Sequence, residues 1–184
     1  MKVLLLNGSP RKNGCTYTAL NVVADALKAE GIDAEVFQAG DPDMENVKAA
    51  AAKLKDSDAL VVGSPVYWAS PSGQIIEFMD RLASVAGKDM LYKPAAAVAS
   101  ARRAGTTATL DVLTKYFSYH QMPVVSSCYW NMVHGNTPEE VMKDEEGVQI
   151  MRVLGKNMAW LLKCIEAGKK NGVSKLHGEV SREL

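Results

Sequence analysis

Neither sign of charge is in excess in this chain: 21 lysines and arginines stand against 21 aspartates and glutamates. Nothing in such a balance argues for a nucleic-acid or membrane surface. Cysteine is scarce as well. Cys15, Cys128 and Cys164 are an odd number of thiols spread far apart, with no C-x-x-C pair and no histidine at zinc-finger spacing. Free thiols in a reducing cytoplasm are the simplest reading, with Cys128 and Cys164 expected to be buried and inert. His120, His134 and His177 share no spacing that would gather a metal, so no metal ligand is assigned and each reads as a surface or capping residue. The start of the chain has one lysine and four strongly apolar residues before Asn7-Gly8, too little for a secretory signal and with no cleavage-like site after it. A cytoplasmic protein is the expectation. Long linkers and repeats are also missing, and 184 residues suffice for one sizeable core, so a single domain over 1–184 is expected.

What is present is an alternation of strand-like and helix-like patterns. Val3-Leu4-Leu5-Leu6 is too short for a membrane span and apolar on both faces, as a central parallel strand should be. Leu20, Val23, Ala24 and Leu27 then recur at helical spacing, and Gly31 supplies the stop. Ile32 to Phe37 reads as a second strand, and Asp43 caps a helix carrying Met44, Val47, Ala51 and Leu54. Ala59 to Val62 is a third strand ending at Gly63, followed by a helix marked by Ile75, Phe78, Met79 and Leu82. Ala95 to Ala99 is the fourth, and its helix carries Leu110, Leu113 and Phe117. Met122 to Tyr129 reads as the fifth, opened by a proline that suits a strand start. Thr137-Pro138-Glu139-Glu140 has the cap, first-turn proline and glutamate of a helix start, and a longer helix follows over Met151, Leu154, Met158, Leu161 and Ile165. Such β-then-α units imply an α/β fold: a doubly wound five-stranded parallel sheet with helices on both faces, in the flavodoxin-like order 2-1-3-4-5. A ligand then sits at the carboxyl ends of the strands, where the winding reverses between the first and third.

Three loops meet there. The first, Asn7-Gly8-Ser9-Pro10-Arg11-Lys12-Asn13-Gly14-Cys15-Thr16, brings small residues, hydroxyls and two cations to a helix N-terminus, which is how such a fold grips a phosphate. The second, Gly63 to Pro71, is unusually apolar and aromatic for a loop. Pro65, Val66, Tyr67 and Trp68 offer a ledge to a flat ring, with Tyr67 and Trp68 also suited to a subunit contact. The third, Ser100 to Thr107, carries Arg102 and Arg103 and ends at Gly105 on another helix start. Those arginines read equally as solvated charge and as contacts to a flavin or a nicotinamide-nucleotide phosphate. Tyr129 to His134 is rich in large side chains and reads as a subunit contact, the chain being taken as a homo-oligomer, dimer or tetramer.

GSPRKNGCT after the first strand, SPVYWASPSGQIIEFMDRL after the third, and the fourth- and fifth-strand segments together resemble the NAD(P)H-dependent FMN reductase family of flavodoxin-like proteins, from Met1 to about Leu162. The resemblance implies FMN as cofactor and NAD(P)H as co-substrate, with a hydride passed from the nicotinamide to the flavin and then to a small-molecule acceptor such as a flavin or quinone. It places Ser9, Arg11, Asn13, Gly14, Cys15 and Thr16 at the FMN phosphate. Pro65, Val66, Tyr67 and Trp68 fall at the isoalloxazine, and Ser100, Arg102 and Gly105 near its pyrimidine side. Cys15 stands where the family usually has Asn or Ser, and its poorer side-chain donor leaves the backbone N–H as its contribution. The hydride step needs no side-chain acid or base, so no catalytic residue is assigned. Iron-sulfur flavoproteins, a close branch, carry a cysteine cluster between the second and third strands. Gln38 to Asp58 has no cysteine, so no cluster is assigned here.

Two other functions compete. A flavodoxin carrying single electrons without its own substrate shares the fold, but such carriers resemble acidic docking modules, and this chain has no net charge. A low-molecular-weight phosphatase would need C-x5-R. Cys15 is followed at that spacing by Asn21 and Cys128 by His134, so that chemistry is excluded.

Overall fold

The computed structural model describes residues 1–175, so His177 lies outside the described residues. Strands β1 (Lys2–Asn7), β2 (Asp33–Gln38), β3 (Ala59–Tyr67), β5 (Ala95–Ala101) and β6 (Met132–His134) run parallel in the order β2-β1-β3-β5-β6. This is the expected 2-1-3-4-5 winding with one addition. The two-residue β4 (Ser70–Pro71) folds back antiparallel on the end of β3, through a turn at Trp68 and Ala69.

Residues of β1 alternate between two cores. Val3 and Leu5 face one side with Val61, Ala96 and Val98, under α1 (Cys15–Ala29) and α6 (Glu145–Lys170). Leu4 and Leu6 face the other with Leu60, Val62, Ala95 and Ala97. Covering that side are α2 (Met44–Lys55), α3 (Gly73–Met90) and α4 (Thr106–Tyr119). A strand buried on both faces has no polar alternation to show, which is why β1 reads as an unbroken apolar run. Helix α1 stops as its sequence predicts: Gly31 takes φ +77°, its N–H reaches Lys28 O, and the Ile32 N–H reaches Leu27 O. The short α5 (Pro138–Lys143) begins at the Thr137 cap, and Asp144 then caps α6 through the Gly147 N–H at 3.0 Å.

The fifth strand departs from its prediction. Met122 to Tyr129 forms no strand; only Val124 bridges to Ala95, and β6 starts at Met132. Between them the chain is drawn out toward α6. Ser127 Oγ donates to Ile150 O at 2.7 Å, and Asn157 Nδ2 to Ser126 O at 2.8 Å. Buried Asn131 closes the gap in the ladder, its Nδ2 donating to Ala97 O at 3.0 Å where a strand amide would otherwise serve.

The loop carries Cys128 into solvent, and Cys164 is exposed on α6 off the buried stripe of Leu154, Met158 and Leu162. Both correct the sequence reading, which buries them. Tyr129 and Trp130 are exposed and stack edge to face, whereas Met132 and Val133 of the same segment are buried. His120 is the C-cap of α4 and is itself buried.

Candidate functional site

All three predicted loops converge at the carboxyl end of the sheet. The Gly8 N–H donates to Gly63 O at 2.8 Å, and Ser72 Oγ donates to Gly8 O at 2.9 Å, joining the first loop to the second. Thr16 Oγ1 and Ser100 Oγ share a hydrogen bond of 2.7 Å between buried residues, joining the first to the third. Ser100 pairs in register with Pro65, so Thr16, Ser100 and Pro65 form one continuous line from the first loop to the aromatic ledge. Gly105 completes the ring of contacts. Its φ of +103° suits glycine, and a Cβ there would lie 2.7 Å from Ala69 Cα and 2.8 Å from Val66 Cγ1.

The first loop ends at an uncapped helix. Gly14 is the N-cap of α1 and has no side chain to satisfy the first turn. Among the described residues the amides of Lys12, Asn13 and Thr16 meet no acceptor. Ser9 and Thr16 are buried; Arg11, Lys12 and Asn13 are exposed, and neither cation forms an ion pair among the described residues. Cys15 is half-buried and its thiol donates to Gly135 O at 3.6 Å, away from the loop's open side. Burial pushes that thiol up from its ordinary value, against the opposing pulls of its own backbone N–H and of Arg11.

On the ledge, Pro65 and Val66 are half-buried, Tyr67 is 40% exposed and Trp68 is 100% exposed. Trp68 and Ala69 both take positive φ, 52° and 56°, a conformation that costs a branched or bulky residue about 1 kcal/mol or more. A tryptophan presented whole to solvent on such a turn contributes nothing to the core. Arg102 and Arg103 are exposed beside Gly105, the left-handed N-cap of α4, which likewise carries no side-chain cap.

Residues outside the predicted set hold these loops. Asn7 is fully buried and its Nδ2 reaches Arg11 O and Lys12 O at 3.3 Å and Gln38 Oε1 at 2.7 Å. Gln38 returns a bond from Nε2 to Ser9 O at 2.6 Å. Ser72 caps α3 through the Ile75 N–H and donates its own N–H to Ser64 Oγ. A buried polar residue ending an apolar strand, as Asn7 does, is the one local signal that could have pointed to this framework.

Among the described residues no group of three or more His, Cys, Asp and Glu side chains could hold a metal, and no helix is long and apolar enough to cross a membrane.

Comparison with known proteins agrees with this geometry. Residues 1–137, which carry all three loops, match the profile of the NADPH-dependent FMN reductases. An iron-sulfur flavoprotein of Methanocaldococcus jannaschii is 29% identical over 192 residues, covering 90% of this chain and all of that one (100%). An NADPH azoreductase of a Bacillus species is 30% identical over 108 residues, covering 55% of this chain and 59% of the other. Among solved structures, a WrbA-like flavodoxin from Agrobacterium tumefaciens superposes with a TM-score of 0.69 at 18% identity, covering 89% of this chain and 97% of its own. That likeness shows the fold. An uncapped helix start, an aromatic ledge and the switch point of a flavodoxin-like sheet thus coincide with the profile match, and the chain belongs to the NADPH-dependent FMN reductase family, FMN-dependent oxidoreductases that use NAD(P)H as co-substrate.

Proposed function

We propose that this protein takes a hydride from NAD(P)H onto bound FMN and passes it to a small-molecule acceptor, with the FMN phosphate on the Ser9–Thr16 loop and the ring against Pro65–Trp68. The observation that carries the reading is the unbroken line from Thr16 through Ser100 to Pro65. It joins the uncapped start of α1 to the aromatic ledge.

The residues present fit FMN. A phosphate dianion would satisfy the open amides ahead of and within the first turn of α1, where the helix dipole favours negative charge. Ser9 and Thr16 add hydroxyls, and Arg11 and Lys12 add charge unclaimed by other described side chains. Cys15 gives its amide alone, its thiol being turned to Gly135 O. Held there, FMN would supply two-electron hydride chemistry.

The protein's part is to bind, orient and shield. Pro65 limits the freedom of the backbone that would line the ring, and exposed Tyr67 and Trp68 would offer it aromatic surface. Arg102, Arg103 and the uncapped start of α4 put positive potential beside the third loop, suited to the polar edge of the ring or a nicotinamide-nucleotide phosphate. The relative named an NADPH azoreductase supports a small aromatic acceptor. Exposed Tyr129 and Trp130 support a homo-oligomer.

The test is the absorption spectrum of the purified protein and the identity of the chromophore it releases. FMN is expected. A protein that takes up FAD instead, or retains no flavin after incubation with FMN, overturns the reading.

A further inference from the structure

We propose that Gln38 is a positioning residue of the phosphate loop, acting from behind it through Asn7 and Ser9 to set this protein's preference for FMN over riboflavin. The inference rests on the reading that the Ser9–Thr16 loop takes the FMN phosphate.

Gln38 ends β2 and pairs in register with Asn7, the last residue of β1. Both ends of its amide are used. Oε1 accepts from Asn7 Nδ2 at 2.7 Å, and Nε2 donates to Ser9 O at 2.6 Å. The first bond leaves Asn7 oriented so that its Nδ2 also reaches Arg11 O and Lys12 O, while its Oδ1 accepts from the Ser9 N–H, each at 3.3 Å. The second fixes the Ser9 carbonyl, and Ser9 Oγ in turn accepts from the Arg11 N–H at 3.1 Å. Two side chains therefore dictate the path of the backbone from Ser9 to Lys12.

The clamp is itself anchored. Asn46 Nδ2 donates to Gln38 O at 3.0 Å and to Asp41 O at 2.8 Å, and a Cβ at Gly40 would overlap the Ser9 carbonyl, so the β2–α2 turn lies directly against the loop. Nothing in this arrangement requires Gln38 to touch a ligand. It holds the loop in one conformation before the ligand arrives, which spares the ordering cost on binding. Riboflavin shares the ring and ribityl chain with FMN and lacks only the phosphate, so a loosened phosphate loop weakens FMN selectively.

The experiment titrates apoprotein with FMN and with riboflavin, following flavin fluorescence, for wild type, Gln38→Leu and Gln38→Glu. Thermal melting without ligand checks that each variant folds, and Gln38 is only half-buried. In Gln38→Leu the Kd for FMN rises about tenfold or more while that for riboflavin changes less than about threefold. Gln38→Glu adds a readout that a bulk structural role would not move. Its protonated carboxyl can donate to Ser9 O and its carboxylate cannot, so its FMN preference relative to wild type falls as pH rises through that titration. Wild-type preference retained in both variants, or parallel losses for both flavins, overturns the clamp alone. A wild-type protein without preference for FMN overturns the phosphate-site reading and the clamp with it.

Discussion

Replacing Ser72 by alanine removes one oxygen that serves two buried partners at once. Ser72 is 0% exposed; its Oγ accepts from the Ile75 N–H at 3.3 Å as the cap of α3 and donates to Gly8 O at 2.9 Å. Loss of an N-cap costs about 1 kcal/mol. The stranded Gly8 carbonyl, buried with no other described donor, adds about 1–2 kcal/mol. The sum, about 2–3 kcal/mol, lowers Tm by about 5–10 °C in a chain of this size. Urea denaturation of the apoprotein measures it, with the midpoint shifted and the slope unchanged. Ser118→Ala is the control: Ser118 is exposed and only bonds back to Thr114 O at 3.1 Å, so its loss stays within about 0.5 kcal/mol. Because Gly8 leads directly into Ser9, FMN affinity falls in the Ser72 variant as well. A Ser72→Ala stability no lower than that of the control refutes the reasoning.

Other consequences can be checked as directly. Trp68 is wholly exposed, so Trp68→Ala leaves urea stability within about 0.5 kcal/mol of wild type, yet it alters flavin fluorescence or the KM for aromatic acceptors if the ledge serves the ring. Lys53 and Lys2, hydrogen-bonded to Glu35, hold its carboxyl below its ordinary 4.5, so the pair contributes stability above that pH and loses it as the pH falls through the lowered value. Glu35→Gln should therefore cost up to about 1 kcal/mol at neutral pH, and nothing in denaturation curves recorded in strong acid. Exposed Cys128 and Cys164 should react with a disulfide reagent at pH 7 well before Cys15, whose half-buried thiol is pushed up by burial; single-cysteine variants give the three rates.

The sheet and its three loops were legible because their signals are local. Both-sided burial makes β1 and β3 continuous apolar runs, and Gly14 before Cys15 marks a helix start. The fifth strand was not legible, since Val124, Val125 and Tyr129 are strand formers and nothing local shows that Ile150 and Asn157 of α6 will draw out Ser126 and Ser127 between them. Cys128 followed that error into solvent. The framework behind the site was hidden for a related reason. Gln38 and Ser72 act on Ser9 and Gly8 across long stretches of chain, and neither sits in a pattern of its own. The three converging loops are local in sequence, whereas the side chains that hold them from behind are not.

Hydride transfer from NAD(P)H to a bound FMN is the activity proposed for this chain. Anaerobic stopped-flow mixing of the FMN-loaded protein with NADPH or NADH tests it most directly. Rapid bleaching of the bound flavin's visible absorbance, with the flavin remaining on the protein, is the predicted result. A flavin that stays oxidised with both nucleotides while chemical reductants bleach it would contradict the account and leave an electron carrier without a nicotinamide substrate.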